Sequence, residues 1–560
     1  MKKLLLFIVA CCLITANVVQ AQPAFTTVWE KTITAPRETA KAVSNEHTVL
    51  STQGELYAVG NFSQPFSFGT QDLEPIANST YLLKYSATGE EMWAVSFAGA
   101  ATATAVTLDD AGNVYVTGRM ADAVVFNTTS GTPITKTGNS GTNLISAFVA
   151  KYNANGVLQG VEVFVPTKQD IDYEATPEFY FSNIQVANGK IYVSAILKGN
   201  VINNGVTLAG KTADIWSIGY FVDIQSGYIL TLTNALQLEN IIAAFSVTTN
   251  NDIVKTDVYD ANFVVEGNDM YMGFVANGNK TLKIGSSTTN VVLNTPEGGN
   301  WEYVYQLAKF NLTTNDVLLK DYKTTVVPEY NRCRINKMTS LNNGLILEGT
   351  FNSSSLAFDA ALNYTSADDV FAAKLNKADL TVLKAQKSGI DEASATKNEE
   401  VFMASAVSNN YLMQAAKTDV VGVANLNSFL ITSDIVELTA AVAQQPSQKF
   451  ITGLNAKDDK LLEVTVNTTT TPTITYKVSK VTASGVSNKF VTGIQVYPNP
   501  VLDVVKLSNV CDIVLISSTG SRIKQVKSVS SLNVSELPSG VYYIIATNDK
   551  GTDTFKISKK

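Results

Sequence analysis

Histidine is almost missing from this 560-residue chain, which has only His47. That excludes a multi-histidine metal centre and a zincin motif, and any Ser-His-Asp triad would have to run through His47. His47 sits in the polar stretch Ser44-Asn45-Glu46-His47-Thr48 and reads as part of a surface loop. Cysteine is scarce too. Of four, Cys11 and Cys12 lie in an N-terminal apolar run, which leaves Cys333 and Cys511 in different segments. A disulfide framework within one domain and a cysteine-based zinc site are both excluded, so a packed core must hold the chain. Charged residues make up 16 %, the net charge is −7, and no Lys/Arg cluster occurs. Nucleic acid and anionic membranes are therefore poor partners. Neither a phosphate-binding glycine loop, a dinucleotide fingerprint nor a calcium-loop consensus occurs, and the longest apolar run is too short to span a bilayer.

What is present begins with an export signal. Lys2 and Lys3, an apolar run from Leu4 to Ile14, and Val19-Gln20-Ala21 read as a secretory peptide over 1–21, cut between Ala21 and Gln22. Loss of its two lysines takes the net charge to −9. The mature chain is expected to carry no transmembrane segment and to pass through the periplasm. A lipoprotein is not expected, since Cys11 and Cys12 lie too early for a new N-terminus.

A repeat then fills residues 22–486. Its first half is a strand such as Gly112-Asn113-Val114-Tyr115-Val116-Thr117-Gly118, in which a large apolar anchor lies three residues before a small one. The anchors are Tyr57, Tyr115, Tyr192, Met270, Ile346, Leu412 and Phe450; the small residues are Gly60, Gly118, Ala195, Gly273, Gly349, Ala415 and Gly453. A small residue inside a strand lets a neighbouring backbone come close. The second half is a strand running into a turn: YLLKYSATG (81–89), AFVAKYNANG (147–156), YFVDIQSG (220–227), QLAKFNL (306–312), FAAKLNKAD (371–379) and YKVSKVTASG (476–485). An outer strand follows, as in MWAVSF (92–97) or YILTL (228–232). Repeating four-stranded units that cannot bury their faces alone indicate an all-β fold, a β-propeller of about seven blades. The last copy lacks an outer strand, and TTVWEKTI near Trp29 matches that register, so the N-terminal strand is expected to close the ring. Residues 127–143, 166–178, 232–252, 285–300 and 387–400 read as long loops, where binding tends to reside.

The runs ATATAVTLDDAGNVYVTG (101–118) and AFVAKYNANGVLQGVEVF (147–164) resemble bacterial β-propeller repeats of the SBBP type. The resemblance implies a propeller in an extracellular setting and no single activity. Residues 487–560 differ in kind. Tyr497-Pro498-Asn499-Pro500, the run Leu537-Pro538-Ser539-Gly540-Val541-Tyr542-Tyr543, and a basic end with Lys559 and Lys560 occur in that order. Short strands between turn residues predict a small C-terminal β-sandwich. The three motifs resemble the type IX secretion C-terminal sorting domain of Bacteroidota. That resemblance implies handling by the type IX machinery and export across the outer membrane. It also implies removal of the domain, and leaves release and surface attachment open.

Chemistry has few places to hide. Asp170, Asp172 and Glu174 alternate, so one strand face would carry all three; a solvated loop is the plainer reading and calcium the alternative. Asp109-Asp110-Ala111-Gly112-Asn113 reads as a turn. Tyr173, Phe179, Tyr180 and Phe181, or Trp301, Tyr303 and Tyr305, are candidate sugar platforms or core. Lys84, Lys151, Lys309 and Lys374 recur with the repeat, which points to a structural role at a blade edge. No catalytic residue and no cofactor are assigned. The expected function is a secreted or surface-displayed binding module for an extracellular polysaccharide or protein. A carbohydrate-active hydrolase or lyase and a structural adhesin are the alternatives.

Overall fold

The computed structural model describes residues 24–34, 47–76, 79–140, 145–167, 178–209, 215–217, 220–222, 226–247, 259–277, 280–291, 303–323, 334–341, 344–351, 355–363, 369–387, 398–407, 410–418, 424–431, 437–440, 449–457, 459–467, 473–482, 494, 496–517, 522–548 and 551–560. All regular structure among them is β. Phe25–Val481 forms one unit, and Thr482–Lys560 lies in a second.

In the first unit, seven antiparallel sheets follow one another among the described residues. The first runs Thr48–Leu50, Leu56–Phe62, Ser79–Tyr85, Glu91–Ala98, and the second Ala101–Leu108, Val114–Met120, Ser146–Tyr152, Leu158–Phe164. The third runs Glu178–Ala187, Lys190–Lys198, Ser226–Leu232, Leu238–Val247, and the fourth Tyr259–Glu266, Asp269–Asn277, Tyr303–Asn311, Val317–Lys323. The fifth runs Arg334–Leu341, Gly344–Phe351, Asp369–Leu375, Val382–Lys387, and the sixth Asn398–Val407, Asn410–Thr418, Ala424–Ile431, Glu437–Ala440. The seventh holds Lys449–Lys457, Lys460–Asn467 and Thr473–Thr482, and its outer strand is Ala24–Thr34, where the repeat phase predicts it. Thr32 and Thr475 share a side-chain hydrogen bond across this pair, 443 residues apart in sequence.

The first strand of each sheet lies against the first strand of the next. Thr48–Leu50 touches Ala101–Leu108, then Glu178–Ala187, Tyr259–Glu266, Arg334–Leu341, Asn398–Val407 and Lys449–Lys457 follow, and the last returns to Thr48–Leu50. The succession is cyclic. Middle strands are covered on both faces and read as unbroken apolar runs: every residue of Ser79–Tyr85 is buried. Aromatic pairs fill the gaps between layers, with Phe97 against Phe126 at 5.0 Å and Phe164 against Phe181 at 5.3 Å.

The small residue of the repeat has a physical reason. First strands are bulged, between Ala103 and Ala105 in the second sheet and between Ile335 and Lys337 in the fifth. Ala103 pairs with Gly118 and Ile335 with Gly349. A Cβ on Gly118 would overlap the Thr102 carbonyl and the Phe148 ring; on Gly349 it would overlap the Arg334 carbonyl and the Phe371 ring.

Three repeat assignments need correction. In the fourth sheet the residue opposite Lys309 is Tyr271, one place after Met270, and Phe274 occupies the position expected for Gly273. Gly267 takes the first place of the turn between Glu266 and Asp269, whereas in the third sheet Gly189 takes the second place, after Asn188. Phe450 and Gly453 lie on a first strand, because the chain turns back between Lys457 and Lys460 and the second strand starts there. YILTL belongs to a third strand; Tyr220–Val222 pairs instead with Ile215–Ser217 in a separate hairpin, and Leu238–Val247 is the outer strand.

Several expected loops hold strands. Ile134–Thr137 pairs with Ala123–Phe126, which joins the outer edge of the first sheet through Val125 and Phe126. Ser287–Val291 pairs with Lys280–Ile284, which joins Leu238–Val247. Each hairpin thus covers an edge that would otherwise expose unpaired backbone.

In the second unit, Val504–Ser517 pairs with Val496–Tyr497, Arg522–Asn533 and Gly540–Asn548, and the last of these pairs with Gly551–Lys559. Where two facing sheets are expected, hydrogen bonding gives one five-stranded network, bulged between Lys506 and Cys511. Its core includes Ile494, Val501, Leu507, Ile513, Ile544 and Ile557. Cys511 is buried there as a free thiol; Cys333 lies outside the described residues.

Candidate functional site

Within the ring, the sequence candidates resolve into structural parts. Asp170, Asp172, Glu174, Tyr173 and Trp301 lie outside the described residues, as do Ala21 and Gln22. Phe179, Phe181 and Tyr305 are buried and pack in core clusters, so they offer no stacking platform. Asp109 holds its turn: Oδ1 accepts from the Ala111 and Asn113 amides at 3.0 and 2.8 Å, and Oδ2 accepts from the Tyr115 hydroxyl at 3.0 Å. His47 is half-buried, and its Nε2 donates to the Ala103 carbonyl at 3.0 Å. It ties the start of the first sheet to the first strand of the second, which a surface loop would not do.

The recurring lysines sit on third strands, paired on both sides, and not at a sheet edge. Lys84 Nζ lies 2.8 Å from Glu55 and 5.0 Å above the Tyr57 ring. Lys309 Nζ lies 2.9 Å from Asp269 and 5.6 Å above the Tyr271 ring. Lys151 lies 5.2 Å above the Tyr115 ring. Burial works against the Lys84 charge, but Glu55 and Tyr57 outweigh it and raise its pKa above that of an ordinary lysine. For Lys309 the hydrogen bond it donates to Asp269 is the largest influence and again raises the pKa. A lysine so held is fixed in its charge and unsuited to proton transfer near neutral pH. Among the described residues, no group of three or more His, Cys, Asp and Glu is placed to hold a metal ion.

The second unit brings its three sequence motifs together. Asn499 points its side-chain amide at the terminal strand: Nδ2 donates to the Lys556 carbonyl at 2.9 Å, and Oδ1 accepts from the Ser558 amide at 2.9 Å. The chain then continues the same pairing through its backbone. The Val501 amide donates to the Ser558 carbonyl at 2.8 Å, and the Lys560 amide donates to the Val501 carbonyl at 2.9 Å. Val501 and Lys559 pair in parallel. Both bonds before Pro498 and Pro500 are cis. The middle motif meets the same strand from its other side, since Gly540 pairs with Lys559 and Tyr542 with Ile557. The Tyr542 hydroxyl donates to the Pro538 carbonyl at 2.8 Å, closing the turn before its strand. Sequence spacing gave no sign that Asn499 would act as a strand-edge partner; only the two backbone groups it reaches show it.

Apolar side chains stay exposed at this end. Tyr497 is 48 % exposed, Leu502 62 % and Val504 39 %. Tyr497 pairs with Lys506, so the two share one outward face with Val504, two residues before Lys506.

No curated protein matches this chain. Among solved structures, a virginiamycin B lyase from Staphylococcus aureus is 7 % identical with a TM-score of 0.35, covering 80 % of this chain and 98 % of its own. A member of the DUF4221 family from Bacteroides vulgatus is 8 % identical with a TM-score of 0.28, covering 83 % and 99 %. The WD40 domain of SCAP from fission yeast is 7 % identical with a TM-score of 0.28, covering 83 % and 99 %. At such scores these likenesses carry no inference about activity. Among the described residues no helix is long and apolar enough to cross a membrane. Residues 495–560 match the family described as Secretion system C-terminal sorting domain, which implies handling by type IX secretion machinery and a secreted or cell-surface destination.

Proposed function

We propose that residues 22–486 form a seven-bladed propeller of SBBP-type repeats, closed by the N-terminal strand, that acts as an extracellular binding module. Residues 487–560 act as the sorting domain that delivers it, through Tyr497, Pro498, Asn499, Pro500, Gly540, Tyr542, Lys559 and Lys560. The observation that carries this reading is the cyclic succession of first strands. A closed ring presents loops on a rigid frame, the arrangement on which recognition surfaces are commonly built. The recurring carboxylates are engaged by lysine and tyrosine, which supports binding over acid–base chemistry. An extracellular polysaccharide or protein is the partner class.

The test is thermal unfolding of the mature chain against a panel of polysaccharides, with and without calcium. A ligand that binds only the folded state adds about 2.7 kcal/mol at a hundred times its dissociation constant. A shift with one glycan supports the reading and names the ligand class. A shift with calcium alone turns attention to Asp170, Asp172 and Glu174. Silence across the panel overturns glycan binding and leaves a protein partner or a structural role.

A further inference from the structure

The strand that ends the chain is held by the segment that begins the sorting domain. Asn499 bonds to two backbone groups of that strand and Val501 to two more, so four hydrogen bonds join residues nearly sixty apart in sequence. A side-chain amide carries both N–H donors and a carbonyl acceptor and can stand in for a strand edge. Around this join lie exposed Tyr497, Leu502 and Val504, together with the exposed Lys506, Lys556 and Lys560. The basic residues follow a wider bias: residues 487–560 hold nine Lys/Arg against five Asp/Glu, a net +4. The remaining 22–486 are acidic, at −13, given the whole-chain −7 and the +2 of Lys2 and Lys3.

We infer that the export machinery reads a composite surface, basic and apolar, drawn from both ends of the sorting domain, and that Asn499 is the positioning residue that assembles it. The inference rests on the sorting reading of this domain. Apolar side chains left in water beside lysines, on a domain with a buried core of its own, mark a recognition surface. The complementary receptor surface would be apolar with carboxylates at its rim. A linear basic tail would need no such join. An assembled surface would, because its two halves must be in place before the receptor is met.

The test is export of the full chain from a host with a type IX system, read as the fraction outside the cell. Five variants are compared: Asn499→Ala, Ile513→Ala in the core away from the join, loss of Lys559 and Lys560, that loss combined with Asn499→Ala, and deletion of 495–560. Thermal midpoints of the first two are measured on purified chain. Asn499→Ala is expected to lower export by about fivefold or more while unfolding at a higher temperature than Ile513→Ala, which keeps the better export. Combining Asn499→Ala with loss of Lys559 and Lys560 is expected to be no worse than the worse single change, since both disable one surface. Wild-type export of Asn499→Ala overturns the inference. So does a loss of export in both point variants that simply tracks their loss of stability. Normal export of the chain lacking 495–560 would instead overturn the sorting reading itself.

Discussion

Trp29 lies against Gly89 as Trp93 lies against Gly156: a Cβ on either glycine would come within 2.8 Å of the indole that covers it. Each tryptophan belongs to the outer strand of one sheet, and each glycine to the turn after the third strand of the next. Both glycines have positive φ, +84° and +77°. In the following pair the sizes are exchanged. Gly160, opposite Lys151 as Trp93 is opposite Lys84, stands where the indole would be, and Leu236, at φ +67°, reaches towards it. Trp29, supplied by the N-terminal strand, therefore does at the closure what Trp93 does inside the ring.

Trp29→Ala should cost about 3–5 kcal/mol, the usual range for a buried tryptophan. Deleting 24–34 should cost more, because Thr473–Thr482 also loses its neighbour. Urea unfolding of the mature chain followed by near-UV circular dichroism checks both, and a loss below 1 kcal/mol for Trp29→Ala would contradict a closing role.

Leu236→Gly sets two effects against each other. A left-handed leucine costs roughly 1–2 kcal/mol, which glycine would relieve. Truncating a buried leucine costs about 2–5 kcal/mol, and Leu236 is 2 % exposed. Packing should win, and the same urea series should show net destabilisation.

Buried tyrosines should set the alkaline limit. Burial pushes Tyr228 up to about 12 and raises Tyr85, Tyr115 and Tyr152 further. With folded values above the unfolded value of ~10, this contribution is complete below that pH and disappears as pH rises through the folded values. Tyrosinate absorbance should therefore show a late group that titrates together with loss of tertiary structure.

Glu266→Gln should do little. Burial pushes its carboxyl up, but Lys377 and Ser340 outweigh that and hold it below the usual range. Its contribution is present above the unfolded carboxylate pKa and lost as pH falls through the folded one. With the Glu266 side chain 45 % exposed, the pair should contribute at most ~1 kcal/mol. The thermal midpoint near neutral pH should move by a few degrees at most.

The legible parts of the fold were those where a single strand carries its own pattern. AFVAKY and YLLKY are short, nearly unbroken apolar runs followed by turn residues, and both are third strands. TTVWEKTI announced its place because Trp29 repeats the register of Trp93. Met270 was misread because Gly267 changed its place within a turn, which shifts a count of three by one while leaving the hydrophobic pattern intact. Phe450 misled because a first and a second strand share the same composition. The hairpin at 134–137 was hidden by Thr, Ser and Gly, which suit a solvated edge strand as well as a loop. In the sorting domain the motifs were visible, but their meeting was not, since hydrogen bonds from a side chain to distant backbone leave no periodic trace.

The seventh sheet takes its outer strand from the first residues of the ring and the other three from the last. The two partners are made at opposite ends of synthesis, so Ala24–Thr34 must wait unpaired until Thr473–Thr482 exists. Such long-range pairing forms slowly, because the intervening chain must first be brought together. The ring thus latches last at the point nearest both termini. A chain still threading through a membrane stays unlatched, and a cut placed beyond Thr482 leaves both halves of the latch on the same piece.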